Sequence, residues 1–545
     1  MMNELEKSDS STVAAKLTNK SRVSDAESVE PREGTEGNTR EPHTHRTPSR
    51  ASVSPGLERV RERSRQGKKE RFTALLHHVN VELLQTAYLK LQRDAAPGVD
   101  GTTWHEYGQD LEAKLVDLHG RVHRGAYRAL PSRRKFIQKE DGRERPLGVA
   151  ALEDKIVQRA VVEVLNAIYE QDFLGFSYGF RPGRGQHDAL DALAVGITYT
   201  KVSWIVDADV RSFFDAMSHE WLIRFVEHRI GDPRMIRLIR KWLKAGVMDG
   251  DEWTSSEIGS PQGAVVSPTL ANIYLHYTFD LWADQWRRHH ARGNVVFVRY
   301  ADDTVAGFEH ETDAKRFLAD LRERLEKFAL SLHPDKTRLI EFGRFAAERR
   351  KRRGLGKPET FNFLGFTHIC GQSRAGYFLL KRKTRRDRLR VRLRAIKDEL
   401  RRRMHEPIPE QGKWLGQVLR GYFAYHAVPT NTRSLCAFRH HVTDLWRRSL
   451  RRRSQRDCTT WDRAAQLVAA FLPAVRITHP WPHERFAVKH PRWKPGARIA
   501  PAGICAGCAL EAHGTQSPEM EAAAKPSSQP RTKSCVMSGD GHCEA

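Results

Sequence analysis

Two adjacent carboxylates stand between apolar runs in the stretch NVVFVRYADDTVAGF, residues 294–308. Asp302 and Asp303 occupy the point where alternating apolar residues predict the turn of a β-hairpin. Asp is common in turns, so a solvated turn is one interpretation. Carboxylates are also the hard oxygen ligands that Mg²⁺ prefers. The two acids therefore predict either a hydrophilic turn or half of a metal site.

A second acidic strand, SWIVDADV at residues 203–210, favours the metal site. Period-two alternation places Ile205, Asp207 and Asp209 on one strand face, with apolar residues on the other. Two strands that end in acids can converge on two divalent ions about 3.5–4 Å apart, which clamp the attacking and leaving oxygens of phosphoryl transfer. The acids at the ends of these two strands therefore indicate metal-assisted chemistry on phosphates.

The charge balance indicates a polyanionic partner. The chain of 545 residues has 92 Lys and Arg against 67 Asp and Glu, a formal net charge of +25. Cationic side chains that neutralise phosphates release counterions and so favour nucleic-acid binding. The alternative is a soluble surface that is merely basic. The surplus is concentrated, however: Lys381–Arg403 holds 13 Lys or Arg and three acids, so helical pairing with acids cannot neutralise it.

Neither a membrane segment nor a disulfide framework is expected. No apolar run reaches the roughly 18 residues needed to span a bilayer, and the first residues are charged where a signal peptide needs an apolar core. The seven cysteines are typical of reduced thiols in a cytosolic protein. Cys505 and Cys508 form one C-x-x-C pair, but no second pair follows, so no zinc site is predicted.

The elements that must position the acids lie in the middle of the chain. Residues 1–56 are polar and almost free of aromatics, which predicts disorder. Residues 57–370 alternate predicted helices and strands, beginning with a helix over residues 71–94. Residues 371–470 are basic and helical in period, including Lys381–Arg403. A basic aromatic extension follows at 471–500, and a polar tail at 501–545 is predicted to be disordered.

Several ordered motifs carry a family resemblance. YADD at 300–303, DADVRSFFD and GSPQGAVVSPTLANIYLH resemble the core of a reverse transcriptase. QKEDGRERPLGVAALEDKIVQRAV, FSYGFRPGRGQHDAL and FNFLGFTHI are similar to blocks of bacterial group II intron reverse transcriptase/maturases. The resemblance covers residues 57–496. It implies an α+β right-hand polymerase, with fingers and a palm built on a small antiparallel sheet, followed by a helical thumb called domain X.

The resemblance also implies roles for individual residues. The carboxylates would hold two Mg²⁺ ions, with Mn²⁺ as a substitute, and are Asp209, Asp302 and Asp303; Asp207 matches a variable position. Residues matched to the incoming nucleotide are Phe214, Gln262, Arg145 and Lys139. Residues matched to primer or template are Tyr300 and Lys336. Residues matched to RNA on the basic helix are Arg385, Arg386 and Arg390.

Each of these roles has a structural alternative. The ring of Phe214 would exclude a ribose 2′-hydroxyl, whereas Phe213 is expected in the core. Gln262 lies in what is otherwise an ordinary glycine turn. The basic residues around Arg145 would also suit a solvated hairpin, and which of them grips the triphosphate stays open. Lys336 would contact primer or the palm acids, or be a surface lysine. The aromatic residues of domain X would either stack on RNA bases or pack inside a helical bundle.

The resemblance implies an RNA-directed DNA polymerase and maturase of the bacterial cytosol or nucleoid. Its expected partners are group II intron RNA, an RNA template, a DNA primer, target DNA and dNTPs. The HNH endonuclease domain of longer members is not recognisable, so cleavage of the target site is not expected, and priming from nascent strands at replication forks is a hypothesis. Alternatives are a splicing-only maturase and a reverse transcriptase of a diversity-generating or defence element.

Overall fold

Helices alternate with short strands along the part of the chain that carries the acids. The structure is a computed structural model that describes residues 55–138, 144–250, 252–255, 257–260, 263–453 and 459–491. Lys139, Gln262, the Cys505–Cys508 pair and nearly all of the two predicted disordered tails lie outside these residues.

The helices and strands of the described residues are numbered in chain order. The helices are α1 (Pro55–Gln66), α2 (Val81–Leu89), α3 (Trp104–Tyr107), α4 (Leu111–His123), α5 (Leu152–Asp172), α6 (Gln186–Tyr199), α7 (Phe213–Ala216), α8 (His219–Glu227), α9 (Pro233–Lys244), α10 (Ser267–Leu275), α11 (Leu281–His289), α12 (Glu311–Glu326), α13 (Ala346–Arg352), α14 (Arg386–Arg402), α15 (Ile408–His426), α16 (Thr432–Arg451), α17 (Trp461–Phe471) and α18 (Pro482–Lys489). The strands are β1 (Ser132–Gln138), β2 (Glu144–Val149), β3 (Trp204–Asp209), β4 (Val247–Asp249), β5 (Glu252–Thr254), β6 (Val295–Tyr300), β7 (Asp303–Phe308), β8 (Arg338–Glu341), β9 (Phe361–Phe363), β10 (Phe366–Gln372) and β11 (Phe378–Thr384).

The strands form three small sheets. The first has the order β2-β1-β4-β5, with β1 and β4 parallel. The second has the order β6-β7-β3-β8, and all of its pairs are antiparallel; we call it the carboxylate sheet because its strands carry the predicted metal ligands. The third, β11-β10-β9, is also antiparallel. The mixture of helices with small sheets agrees with the expected α+β class.

Both faces of the carboxylate sheet are covered, as the alternation of its strands requires. One face belongs to a core shared with helices α5, α10 and α12, and its sheet residues are Val206, Ala208, Val295, Phe297, Ala306 and Phe308. The other face packs against α6 and β9–β11 through Ile205, Val296, Val298, Val305 and Ile340. Because apolar side chains on two faces fix the strands, the acids at their ends have little freedom to move.

Two predicted elements differ from the structure. The helix predicted over residues 71–94 is wrong in its first half, because Asn80 caps α2 by accepting from the Leu83 N–H at 2.8 Å, so the α-helix begins only at Val81. The helix predicted from Lys381 is also wrong at its start. Residues up to Thr384 belong to β11, and α14 begins at Arg386.

The basic part of the chain is helical from α14 to α17, as expected. The apolar sides of these helices meet in a separate core, in which Tyr422 stacks on Phe438 with ring centroids 3.7 Å apart. Trp446 is 2 % exposed and donates from its indole N–H to Gln411 at 3.0 Å. The core interpretation of these aromatics is therefore confirmed for Tyr422 and Trp446. None of the helices in the described ranges is both long and apolar enough to cross a bilayer.

Candidate active site

The YADD motif forms the turn between β6 and β7. Tyr300 pairs with Asp303 across the hairpin, which leaves Ala301 and Asp302 as a two-residue connection. Ala301 has φ of +56°, a left-handed conformation that costs a non-glycine residue about 1–3 kcal/mol and persists only where the surroundings enforce it. The interpretation of this stretch as a hairpin is confirmed, and its turn is strained at the residue before Asp302.

The register of the carboxylate sheet brings the second acidic strand to this turn. Asp209 on β3 lies directly opposite Asp303 on β7, and directly opposed residues of an antiparallel pair share a face. Asp302 follows Ala301 in the adjoining turn. The strand pairing thus places all three predicted ligands at one end of the sheet. A second left-handed residue, Ser212 with φ of +44°, follows shortly after Asp209.

Negative charge accumulates at this end of the sheet. The protein atoms packed around the carboxyl group raise the pKa of Asp303 to about 7 by desolvation, although the residue as a whole is exposed at the surface. The carboxylates that add to this shift are Asp302, Asp209 and Asp207. Arg388 of α14 acts in the opposite direction on Asp303, so the start of the basic helix lies within electrostatic reach of the acids. A cation bound here would relieve the mutual repulsion.

Lys336 supplies one positive charge to the acids. Its ammonium group lies 2.8 Å from Oδ2 of Asp209 and is about half exposed. Of the alternatives for this lysine, contact with the acids is therefore the one observed, and contact with a primer stays a prediction. Asp207 lies 3.5 Å from the Arg338 guanidinium, and burial raises the pKa of Asp207 to about 6. Asp207 therefore adds to the negative charge at this end of the sheet, and Arg338 partly offsets that charge.

The chemistry of these donors fits Mg²⁺, which takes one or two protein carboxylates and leaves the remaining positions to water and substrate phosphates. In the described part of the chain, no group of three His, Cys, Asp or Glu side chains is arranged as a ready-made metal site. That Asp209, Asp302 and Asp303 are metal ligands therefore stays a prediction, which the sheet register and the cation beside Asp209 support.

A cleft of about 470 Å³ opens beside Phe214, within the size range of small-molecule sites. Residues that line it include Arg134, Leu147, Gly148, Asp215 and Gly259. Phe213 is 2 % exposed and lies in the core, as expected, whereas Phe214 is only partly buried. The first sheet and the segment after β3 thus border a space of the size that a nucleotide needs.

The other residues predicted to contact nucleotide, primer or RNA lie in different parts of the structure. Tyr300 is 5 % exposed and packs near Phe180, with ring centroids 6.5 Å apart. Arg145 lies in β2 opposite Ile137. Arg386 and Arg390 of α14 are exposed, whereas Arg385, which immediately precedes α14, is paired with Asp387 and is less exposed. The basic helix therefore presents its predicted RNA-binding arginines to solvent unevenly.

Sequence reasoning missed the loop that presses against the YADD turn. A Cβ atom on Gly179 would lie 2.3 Å from the Ala301 nitrogen, so only glycine lets this loop approach the turn. Asn272 on α10 holds the loop by donating to the Gly179 carbonyl at 2.7 Å. The signal was the glycine inside the aromatic run FSYGF, which marks a close backbone approach only once its partner is known.

Comparison with known families identifies a polymerase domain. The family described as "Reverse transcriptase (RNA-dependent DNA polymerase)" matches residues 137–368, a range that contains both acidic strands and the YADD turn.

Three curated proteins are similar to parts of the chain. Protein YkfC of Escherichia coli K12 is 35 % identical over 293 residues, 47 % of this chain and 76 % of that protein. The group II intron-encoded protein LtrA of Lactococcus lactis is 34 % identical over 222 residues, 40 % of this chain and 37 % of LtrA. A 91 kDa protein in the cob intron of Schizosaccharomyces pombe is 42 % identical over 203 residues, 36 % of this chain and 24 % of that protein.

We expect Gly179→Ala to lower the free energy of unfolding by about 1–3 kcal/mol, the usual cost of overpacking, because the added methyl group meets the Ala301 backbone. The measurement is urea denaturation followed by circular dichroism. Gly421→Ala is the control, since nothing lies within 4 Å of its Cβ position and alanine favours the helix. Equal stability of the two variants would contradict a tight approach of the loop to the turn.

Proposed function

The chain belongs to the group II intron reverse transcriptase/maturase family and is an RNA-directed DNA polymerase, and from this premise we propose where and how it acts. Nucleotide transfer takes place at the end of the carboxylate sheet, at Asp209, Asp302 and Asp303. The observation that supports this most directly is the register that sets Asp209 opposite Asp303 beside the YADD turn.

The three carboxylates would hold two Mg²⁺ ions, with Mn²⁺ as a substitute, and these ions would activate the primer 3′-hydroxyl and stabilise charge on the phosphates when bound. The residues of the chain provide position. The apolar faces of the sheet hold the acids in place, and Lys336 offsets the charge of Asp209 until substrate arrives. Positioning and charge stabilisation are the main sources of acceleration in phosphoryl transfer.

Nucleotide selection occurs in the cleft beside Phe214. The Phe214 ring is partly buried, and the next residue, Asp215, lines the cleft. In this proposal the ring excludes a ribose 2′-hydroxyl and so favours dNTPs. Arg145, on β2 of the first sheet, and Lys139 grip the triphosphate, with charge-assisted hydrogen bonds as the physical basis. Gln262 contacts the incoming nucleotide, and Tyr300 lies beside the primer end.

In this proposal the architecture is a right hand. The first sheet forms the fingers, the carboxylate sheet forms the palm, and the helices from α14 to α17 form the thumb, domain X. The corresponding ranges are 57–370 for fingers and palm, 371–470 for domain X and 471–500 for a nucleic-acid-binding extension. The charge that α14 contributes at Asp303 supports a thumb that borders the catalytic cleft.

The maturase role rests on the basic helices. Exposed arginines on α14 bind the backbone of group II intron RNA, which assists splicing, and the polymerase then copies that RNA with a DNA primer at target DNA. Compared with a splicing-only maturase, this proposal is favoured by the preserved arrangement of the three acids. The long helical part after the palm favours it over a reverse transcriptase of another kind of element.

We expect Asp302→Asn to reduce primer extension at least about 100-fold, because the change removes a charge from the reacting centre. The assay uses the full chain with an RNA template, a DNA primer, dNTPs and Mg²⁺. Asp335→Asn is the control, since Asp335 is exposed in the same neighbourhood but lies off the carboxylate strands. Failure of the native chain to extend the primer would refute the polymerase assignment in this system, and unchanged activity of Asp302→Asn would refute the site.

A smaller side chain at the cleft should relax sugar selection. Phe214→Val is expected to lower the preference for dNTPs over rNTPs about tenfold or more, because the ring no longer occupies the space of the 2′-hydroxyl. Single-nucleotide incorporation with each substrate gives the ratio, and dNTP incorporation by the same variant is the internal control. A ratio equal to that of the native chain would place the selecting residue elsewhere.

Removal of two exposed arginines should weaken RNA binding through electrostatics. For Arg386→Ala/Arg390→Ala we expect the slope of log K against log salt to become shallower by about 1–2, the contribution of two lost phosphate contacts. Filter binding of intron RNA across a salt series measures the slope. Arg316→Ala/Arg322→Ala on α12 is the matched control, because both arginines are exposed and α12 packs in a different core from α14. Equal slopes for both double variants would contradict an RNA site on α14.

A further inference from the structure

A fully buried arginine lies beneath the YADD turn. Arg299 is on β6 and has no exposed surface, and its side chain leaves the sheet on the face opposite Tyr300. A guanidinium group has five N–H donors, and each one finds an acceptor here. The acceptors are Asp280 Oδ1 at 2.7 Å and Oδ2 at 2.6 Å, Asn272 Oδ1 at 3.1 Å, Ser177 Oγ at 2.7 Å and the Ala301 carbonyl at 2.9 Å.

The ion-pair partner of Arg299, Asp280, lies at the end of an irregular helical turn. Residues His276–Asp280 form a π-helical segment between α10 and α11, a rare feature that is frequently found at functional sites. Asp280 ends this segment, is fully buried and takes both carboxylate oxygens to the Arg299 guanidinium. The π-helical segment thus carries the carboxylate that binds the arginine.

The same group holds the loop that presses on the turn. The backbone of Arg299 exchanges two hydrogen bonds with this loop, each 2.9 Å long, from its N–H to the Phe176 carbonyl and from the Tyr178 N–H to its own carbonyl. Its side chain reaches Ser177 of the loop and Asn272, which also holds Gly179. Arg299 thus joins the loop, α10 and the YADD turn in one network.

Stability alone gives little reason for a charge at this position. The residues on the same face of β6, Val295 and Phe297, are apolar and pack in the core. Replacing a buried ion pair by well-packed apolar residues is often neutral or stabilising, because the desolvation of two charges offsets their attraction. The bond from Arg299 to the Ala301 carbonyl offers another reason. It fixes the strained residue that immediately precedes Asp302.

We propose that Arg299 and Asp280 are positioning residues, which hold the YADD turn in its strained conformation and so aim the Asp302 carboxylate at the reacting centre. This inference rests on the proposed site of nucleotide transfer. Neither residue touches substrate: Arg299 acts through the Ala301 carbonyl, and Asp280 acts by orienting the guanidinium. Ser177 and Asn272 assist as further acceptors.

The test compares two buried arginines in the same chain. Arg299→Lys keeps the charge but has three donors on a flexible stem and cannot reproduce the five contacts. Arg229→Lys is the matched control. Arg229 is also buried, lies 3.1 Å from Asp172, and donates to Ser64 Oγ at 2.6 Å and to the Gly67 carbonyl at 2.9 Å, so that its partners lie on or next to α1 and α5 rather than at the turn.

Four quantities are measured on the full chain: kcat and KM for dNTP on an RNA template with a DNA primer, the melting temperature, and Mn²⁺ binding without nucleotide by electron paramagnetic resonance. For Arg299→Lys we expect kcat to fall and Mn²⁺ binding to weaken, each by about 10- to 100-fold, the usual effect of losing a group that orients metal ligands. The KM for dNTP should change little. Arg229→Lys should lower the melting temperature alone.

If Arg299→Lys does not fold, a pair of smaller substitutions tests the same proposal. Ser177→Ala and Ser64→Ala each remove one fully buried hydroxyl that accepts from a buried arginine. We expect Ser177→Ala to lower kcat and Mn²⁺ affinity severalfold and Ser64→Ala to leave both unchanged. Equal kcat and Mn²⁺ affinity within each folded pair would overturn the positioning role, whereas absence of extension by the native chain would overturn the proposed function.

Discussion

Carboxylates that lie close together repel one another, and the rest of this structure depends on holding three of them in place against that repulsion. Burial raises the pKa of Asp303, and the repulsion from its acidic neighbours adds to that shift. A flexible loop would relieve it by letting the side chains move apart. Instead, Asp209 and Asp303 end two hydrogen-bonded strands in fixed register, and both faces of the sheet are packed.

The charge of the whole chain works with this local concentration of acid. A surplus of +25 attracts nucleic acid, but cations at the reacting centre itself would compete with metal ions. The cationic and acidic groups lie mostly on separate elements: the exposed arginines of α14 lie on a helix, and the acids lie on a sheet. Lys336, Arg338 and Arg388 are among the described residues at which cations and acids meet, through Asp209, Asp207 and Asp303 respectively. They give the acids a cationic surrounding that substrate phosphates can share.

The site could be predicted from the sequence where side chains alternate and neighbours in sequence are neighbours in space. The hairpin at YADD and the strand of Asp209 follow from period-two alternation, and the family resemblance supplied their pairing. β11 was missed for a physical reason. Its inward residues are Leu380, Arg382 and Thr384, all buried, but an arginine in an inward position makes the pattern resemble a basic helix. Its partner, Asp191, is 191 residues away in sequence, so nothing local marks Arg382 as buried.

Arg299 escaped prediction in the same way, since four of its five hydrogen bonds reach residues at least 19 positions away. Buried ion pairs of this kind also fix how separate elements meet. Asp191 on α6 accepts from Arg382 of β11 at 2.9 Å and lies 3.2 Å from Arg485 of α18. Because α14 begins directly after β11, this triad sets the point from which the basic helix leaves the third sheet. A charge that the sequence suggests is on the surface can therefore determine how the basic helices are placed relative to the acids.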